Sequence, residues 1–202
     1  MSKISLITGG AGFIGSHMVD MLISKGHEVR VIDNLECGRL ENLHFHKKNK
    51  KLKFYKADIN DKNLKDSFFK KINYVFHFAG IGDIVPSINF PKKYFNTNVL
   101  GTLNLLEKIN KNSKINKFVY AASSSCYGLA KTPTKENEII QTLYPYALSK
   151  YQGEQLVLHW NKVYNLPTNS IRIFNAYGTR VKTSGAYGAV FGVFLKQKIE
   201  KK

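Results

Sequence analysis

The segment that most constrains the fold lies at the start of the chain. Ile4 to Thr8 is a short apolar run, and Gly9-Gly10-Ala11-Gly12-Phe13-Ile14-Gly15 follows it directly. Apolar residues then recur at helical spacing from Phe13 to Lys25, and Gly26 closes the run. Gly9, Gly12 and Gly15 have separate geometric tasks: a tight turn, close backbone approach to a phosphate, and close helix–strand packing. The helix start presents free N–H groups and a partial positive charge, a ready anion site. Such a unit requires a parallel partner strand, and Glu28 to Asp33 has the pattern of one.

The alternation continues down the chain. Strands are predicted at Leu52–Ala57, Tyr74–Phe78, Lys117–Ala122 and Thr168–Phe174. A long helix is predicted from Pro91 to Asn110 and another from Pro145, since proline is tolerated in a first helical turn. Nearly continuous apolar strands alternating with helices imply an α/β fold, a doubly wound parallel sheet of Rossmann type. No internal repeat or low-complexity linker interrupts it.

The chain's 202 residues leave room for one domain, or one domain and the beginning of a second. No apolar run is long enough to span a membrane, so no membrane partner is expected. Two cysteines, Cys37 and Cys126, make no disulfide framework and suit a reducing cytoplasm. The net charge of +17 raises the question of nucleic acid. The one dense run, Lys47, Lys48, Lys50 and Lys51, has no interleaved aromatics for base stacking. Lysines scattered over solvated faces are therefore expected, without a nucleic-acid partner.

Asp33 ends the second strand, where a carboxylate accepts hydrogen bonds from an adenosine ribose and repels a 2′-phosphate. The expected cofactor is NAD rather than NADP, with Arg39 a surface residue. Asp58-Ile59 ends the third strand, within reach of an adenine amino group. His77-Phe78-Ala79-Gly80 ends the fourth with small residues that leave room beside a cofactor. His77 itself is read as packed and hydrogen-bonded. No set of His, Cys and carboxylates has metal-ligand spacing, and no metal is expected.

Tyr146 and Lys150 stand four positions apart, on one face of a helix. A tyrosine base must be acidified by about three pH units, roughly 4 kcal/mol, and an adjacent ammonium works in that direction. Ser123-Ser124-Ser125-Cys126-Tyr127-Gly128 follows the fifth strand, at the sheet edge where ligands sit in doubly wound folds. A serine there can relay a proton to Tyr146.

Taken in order, the glycine triplet, Asp33, Asp58-Ile59, His77 to Gly80, Asn98-x-x-Gly101-Thr102, the serine turn and Tyr146-x-x-x-Lys150 resemble the NAD-dependent epimerase/dehydratase family of extended short-chain dehydrogenase/reductases. The resemblance covers essentially the whole chain. Aligning Tyr127-Gly128 with the family's Tyr-Gly pair implies catalytic roles for Ser123, Tyr146 and Lys150, with Ser124 in support. It extends the cofactor contacts to Phe13, Ile14, Asn34, Asn98 and Phe174, and the substrate contacts to Ser87 and Asn175. Dehydratases of the family carry Thr-Asp-Glu before Tyr-Gly; Ser123-Ser124-Ser125 offers no carboxylate. The resemblance therefore implies a UDP-hexose 4-epimerase acting through a transient 4-keto sugar on a nucleotide-sugar substrate. A dehydratase, decarboxylase or reductase of the same family is the alternative within enzymes, and a non-catalytic NAD sensor or scaffold the alternative outside them. It also implies an NAD-binding domain over residues 1–180 and the start of a smaller substrate domain over 181–202, with a helix from about Ala189. Family members pair through two helices, so a homodimer is expected. Tyr94, Val99, Leu103, Leu106 and Ile109 are spaced to serve either the sheet or a partner.

Overall fold

The computed structural model describes residues 2–182 and 190–200. Six parallel strands form one sheet: β1 (Ile4–Thr8), β2 (Glu28–Asp33), β3 (Leu52–Lys56), β4 (Tyr74–His77), β5 (Lys117–Ser123) and β6 (Thr168–Ile173). Their spatial order is β3-β2-β1-β4-β5-β6. The chain thus leaves β1 in one direction through β2 and β3, then returns to its other side for β4. The crevice outside the carboxyl ends of β1 and β4 is the switch point where doubly wound sheets take ligands.

Both faces of the sheet are covered, which is why its central strands read as unbroken apolar runs. Neighbouring residues of β1 divide between two cores. Ile7 packs with Val19, Leu22 and Ile23 of α1 (Phe13–Ser24). Leu6 faces the opposite layer, with Leu105, Leu106 and Ile109 of α4 (Gly101–Asn112) and Val157 of α5 (Pro145–Tyr164). Gly26, at φ +85°, makes the left-handed turn that ends the α1 connection.

Two departures from the sequence pattern bear on function. A short helix, α2 (Ile84–Asn89), follows β4. The predicted long helix is composite: α3 (Pro91–Phe95), a π-turn over Asn96–Leu100, then α4. The buried side chain of Asn98 sits in that wide turn and hydrogen-bonds out of the helix, to the carbonyl of Ile81 and to Ser149 Oγ. Apolar periodicity does not register such a turn. The helix expected from Ala189 begins outside the described residues; α6 spans Val190–Ile199. No described helix is long and apolar enough to cross a membrane.

Tyr94, Leu106 and Ile109 serve the interior, at 2%, 0% and 0% exposure. Val99 and Leu103 stay partly exposed, and Val99 borders an outer groove with Gln152, Leu156 and His159 of α5.

Candidate active site

The turn after β1 sets the geometry of the first cleft. Gly9 has φ +70°, and a Cβ there would lie 2.6 Å from the amide nitrogen of Ala79. Gly15 seats α1 against the same turn, where a Cβ would come within 2.8 Å of Gly10 Cα. Gly12 lines the cleft as the N-cap of α1 and offers no side-chain cap, so the first N–H groups of the helix are left uncapped beside it. Asp33 is buried and fixed: its carboxylate accepts from Ala11 N–H at 2.9 Å and from Leu35 N–H at 2.8 Å. Gly9, Gly12, Asp33, Asn34, Asp58, Ile59, Phe78, Ala79 and Gly80 all line this cleft. Asn34 donates to Asp58 at 2.8 Å, joining the ends of β2 and β3.

A second cavity adjoins the first across Phe78, Gly80 and Ile81. Its walls include Ile14, Ser123, Ser124, Ser125, Tyr146, Lys150, Phe174 and Asn175. The structure therefore brings together, from five separate elements, most of the residues the motifs singled out. Ser123 ends β5 as the N-cap of a 3₁₀ turn over Ser124–Tyr127, accepting from Ser125 N–H at 3.2 Å. That turn also brings the Ser125 hydroxyl to 2.7 Å from Ser123 Oγ. The Tyr146 hydroxyl interacts with both serines. Sequence alignment had singled out Ser123; Ser125 joins it because the chain turns back within two residues.

Two expected contacts are placed differently. Ser87 is fully buried beneath α5, where its hydroxyl donates to the Ile84 carbonyl and accepts from Tyr146 N–H at 3.1 Å. It positions Tyr146 and does not reach the cavity. Asn98 is likewise committed: Oδ1 accepts from Ile81 N–H at 2.9 Å, so it props the floor loop from below. Gly15 does the packing expected of it, and the Phe13 ring lies edge-on to His17 at 5.8 Å while its backbone opens α1.

His77 is packed and hydrogen-bonded. Thr102 Oγ1 donates to the Asn98 carbonyl at 2.7 Å, so it accepts from His77 Nε2 at 2.9 Å. Nδ1 then accepts from Thr8 Oγ1 at 2.6 Å, which fixes a neutral tautomer. Burial pushes His77 down to about 3, consistent with that assignment.

Burial dominates the charges of the Tyr146–Lys150 pair as well. It raises the Tyr146 phenol above its ordinary value, against the hydrogen bonds from Ser123 and Ser125; Asp83 adds to the rise. The acidified phenol expected from the sequence is thus not reached by these side chains alone, because a phenolate is poorly solvated here. Burial also lowers Lys150 to about 8, partly offset by Glu154. A Cβ on Gly80 would press on Asn98 Oδ1 at 2.9 Å and reach ordinary contact with Lys150 Nζ at 3.6 Å, so the glycine packs its backbone closely against the Asn98 amide beside the ammonium.

Glu154, one helical turn beyond Lys150, escaped the sequence reading, although the spacing Tyr146, Lys150, Glu154 was there to be seen. Its carboxylate accepts from Arg172 Nε at 3.2 and 3.1 Å, and Arg172 Nη1 donates to Tyr127 Oη at 2.7 Å. This network ties α5 and β6 to the serine turn.

The sequence profile of the family described as GDP-mannose 4,6 dehydratase matches residues 6–199. The chain belongs to this NAD-dependent epimerase/dehydratase family. It is 36% identical to the UDP-glucose 4-epimerase of Mycolicibacterium smegmatis over 189 residues, 92% of this chain and 60% of that protein. The UDP-N-acetylglucosamine 4-epimerase of Methanobrevibacter ruminantium, solved with UDP-N-acetylmuramic acid, superposes with TM-score 0.94 at 33% identity. That match covers 100% of this chain and 64% of the other. The UDP-glucose 4-epimerase of Thermotoga maritima, solved with UDP-glucose, gives 0.91 at 35% identity, covering 98% and 64%. The chain therefore spans less than two thirds of the length of these relatives.

Proposed function

We propose that the chain is the cofactor-binding and catalytic part of an NAD-dependent nucleotide-sugar epimerase, acting at C4 of a UDP-hexose. The observation that carries this reading is the cluster of Ser123, Ser125, Tyr146 and Lys150 on the cavity next to the glycine turn. The residues fit a dinucleotide: Gly9 and Gly12 leave a cradle that side chains would fill, and Asp33 is held with lone pairs to spare for a ribose. NAD, when bound, supplies the hydride acceptor and a positively charged ring. Lys150 and Asp33 would hold its riboses, and the start of α1 its phosphates. Tyr146 takes the proton of the sugar 4-hydroxyl, with Ser123 relaying it, and returns it at the end of the cycle. Ser124 and Asn175 face the same cavity and serve the substrate. The serine turn carries no carboxylate, which favours epimerisation over loss of water. The test is product analysis by NMR: interconversion of C4 epimers without net reduction of NAD supports the reading. A 4-keto-6-deoxy product overturns it, and a protein whose bound NAD is never reduced by a nucleotide sugar is a sensor.

Cofactor choice follows from Asp33. NAD should bind at least tenfold more tightly than NADP in calorimetry, and Asp33→Ala should narrow the gap. Equal affinities in the unmodified protein would exclude this role for Asp33.

Within the same reading, residues 1–180 form the NAD-binding domain and 181–202 open the substrate domain. The protein acts in the cytoplasm as a homodimer joined through the composite helix over Pro91–Asn110 and through α5, Pro145–Tyr164. The partly exposed Val99, Leu103 and Leu156 support that pairing, and sedimentation velocity checks it.

A further inference from the structure

Lys150 must keep its charge in a place that disfavours charge. The residue is only 7% exposed, and burial in a low dielectric favours the neutral amine. Among the described residues no carboxylate lies within ion-pairing distance of Nζ; Glu154 is taken by Arg172. What Nζ does meet is an aromatic face, the Tyr120 ring, 4.5 Å from its centroid. Tyr120 stands on β5, fully buried, and its hydroxyl donates to the Lys150 carbonyl at 3.3 Å. Gly153 lets α5 settle onto this ring: a Cβ there would lie 2.6 Å from the Asn98 carbonyl and closer still to Tyr120 Oη.

We propose that Tyr120 is a positioning residue for the Lys150 ammonium, its ring face holding the charge over β5 without occupying an N–H donor. The proposal rests on the reading of Lys150 given above. A carboxylate in this position would take up those donors and cancel the positive field at Tyr146. A ring quadrupole stabilises the cation by attraction alone and leaves three N–H groups for ribose hydroxyls. The other groups facing Lys150 do not substitute for it. His77, from β4, is neutral, and Tyr146 and Glu154 flank it along α5. Gly80, from the loop after β4, presents only backbone.

The titration of Lys150 tests the pairing without any assay of turnover. Trace acetylation with acetic anhydride at graded pH, followed by peptide mass spectrometry, reports how readily Lys150 loses its proton. In the unmodified protein it should titrate near 8, so about nine tenths is protonated at pH 7. Tyr120→Phe keeps the ring and should leave this value nearly in place. Mono-, di- and trifluorinated phenylalanine at position 120 preserve shape while draining the ring face. Across that series the titration should fall stepwise by about one pH unit, leaving roughly half of Lys150 charged at pH 7. Tyr120→Leu should fall as far, with circular dichroism confirming the fold; the fluorinated series decides should this variant not fold. A flat series overturns the proposal, as does a Tyr120→Phe shift equal to that of the trifluorinated ring. A stepwise shift in a protein that does not epimerise supports the pairing and counts against the functional reading instead.

Discussion

Tyr146→Phe should lower UDP-sugar epimerisation by the whole protein on the order of 10²–10⁴-fold, the usual cost of losing one acid–base group. The substitution removes only the phenolic hydroxyl. The ring keeps its edge contact with Tyr94, at 6.4 Å between centroids, and the backbone N–H keeps its bond to Ser87. Folding and NAD affinity should therefore change little, and the loss should fall on turnover. The serine turn adds a second expectation. Ser125 Oγ lies 2.7 Å from Ser123 Oγ, and both interact with the Tyr146 hydroxyl. Ser123→Ala leaves Ser125 to take over part of the relay, so the double Ser-to-Ala variant should lose clearly more than either single one. Rates by NMR or a coupled assay, set beside calorimetry with NAD, separate these effects. Unchanged turnover in Tyr146→Phe would remove the catalytic assignment altogether.

The parts of the fold that could be read in advance are those governed by local chemistry. β1 and β2 lie where their apolar runs place them because glycine punctuates one and a turn-forming Asp33-Asn34 ends the other. The cofactor cleft was legible for the same reason, since each glycine has a backbone task that no other residue performs. What stayed hidden depends on partners distant in the chain. Ser87 supports Tyr146 across 59 positions, and Asn98 joins Ile81 to Ser149 across 17 and 51. Nothing beside Ser87 or Asn98 in the sequence says that their polar groups will be used inward, so a cavity role was a natural reading. The α2 segment was obscured by Pro86, which breaks a helical pattern in sequence but is tolerated in the first turn of a helix. Tyr120 is an aromatic in a strand, a commonplace of any core, until α5 lays Lys150 over it.

The Arg172–Glu154 pair should show the largest effect on stability. Glu154's side chain is 5% exposed and Arg172's 19%, and the guanidinium also stacks on the Tyr127 ring at 4.8 Å. Arg172→Ala strands a buried carboxylate, and breaking such a pair costs about 3–5 kcal/mol. For a chain of 202 residues that corresponds to a fall in melting temperature of roughly 6–20 °C. Arg172→Lys should recover only part, because an ammonium cannot span both carboxylate oxygens and still reach Tyr127 Oη. The informative comparison is the double variant Arg172→Met with Glu154→Gln. Most of the loss in Arg172→Ala belongs to the orphaned charge and little to the bond itself, so removing both charges should restore more than half of the stability. Thermal melts of the three variants and the parent give the answer. A double variant no more stable than Arg172→Ala would show that the network acts through packing around Tyr127. The serine turn would then owe its position to shape, with the buried charges incidental to it.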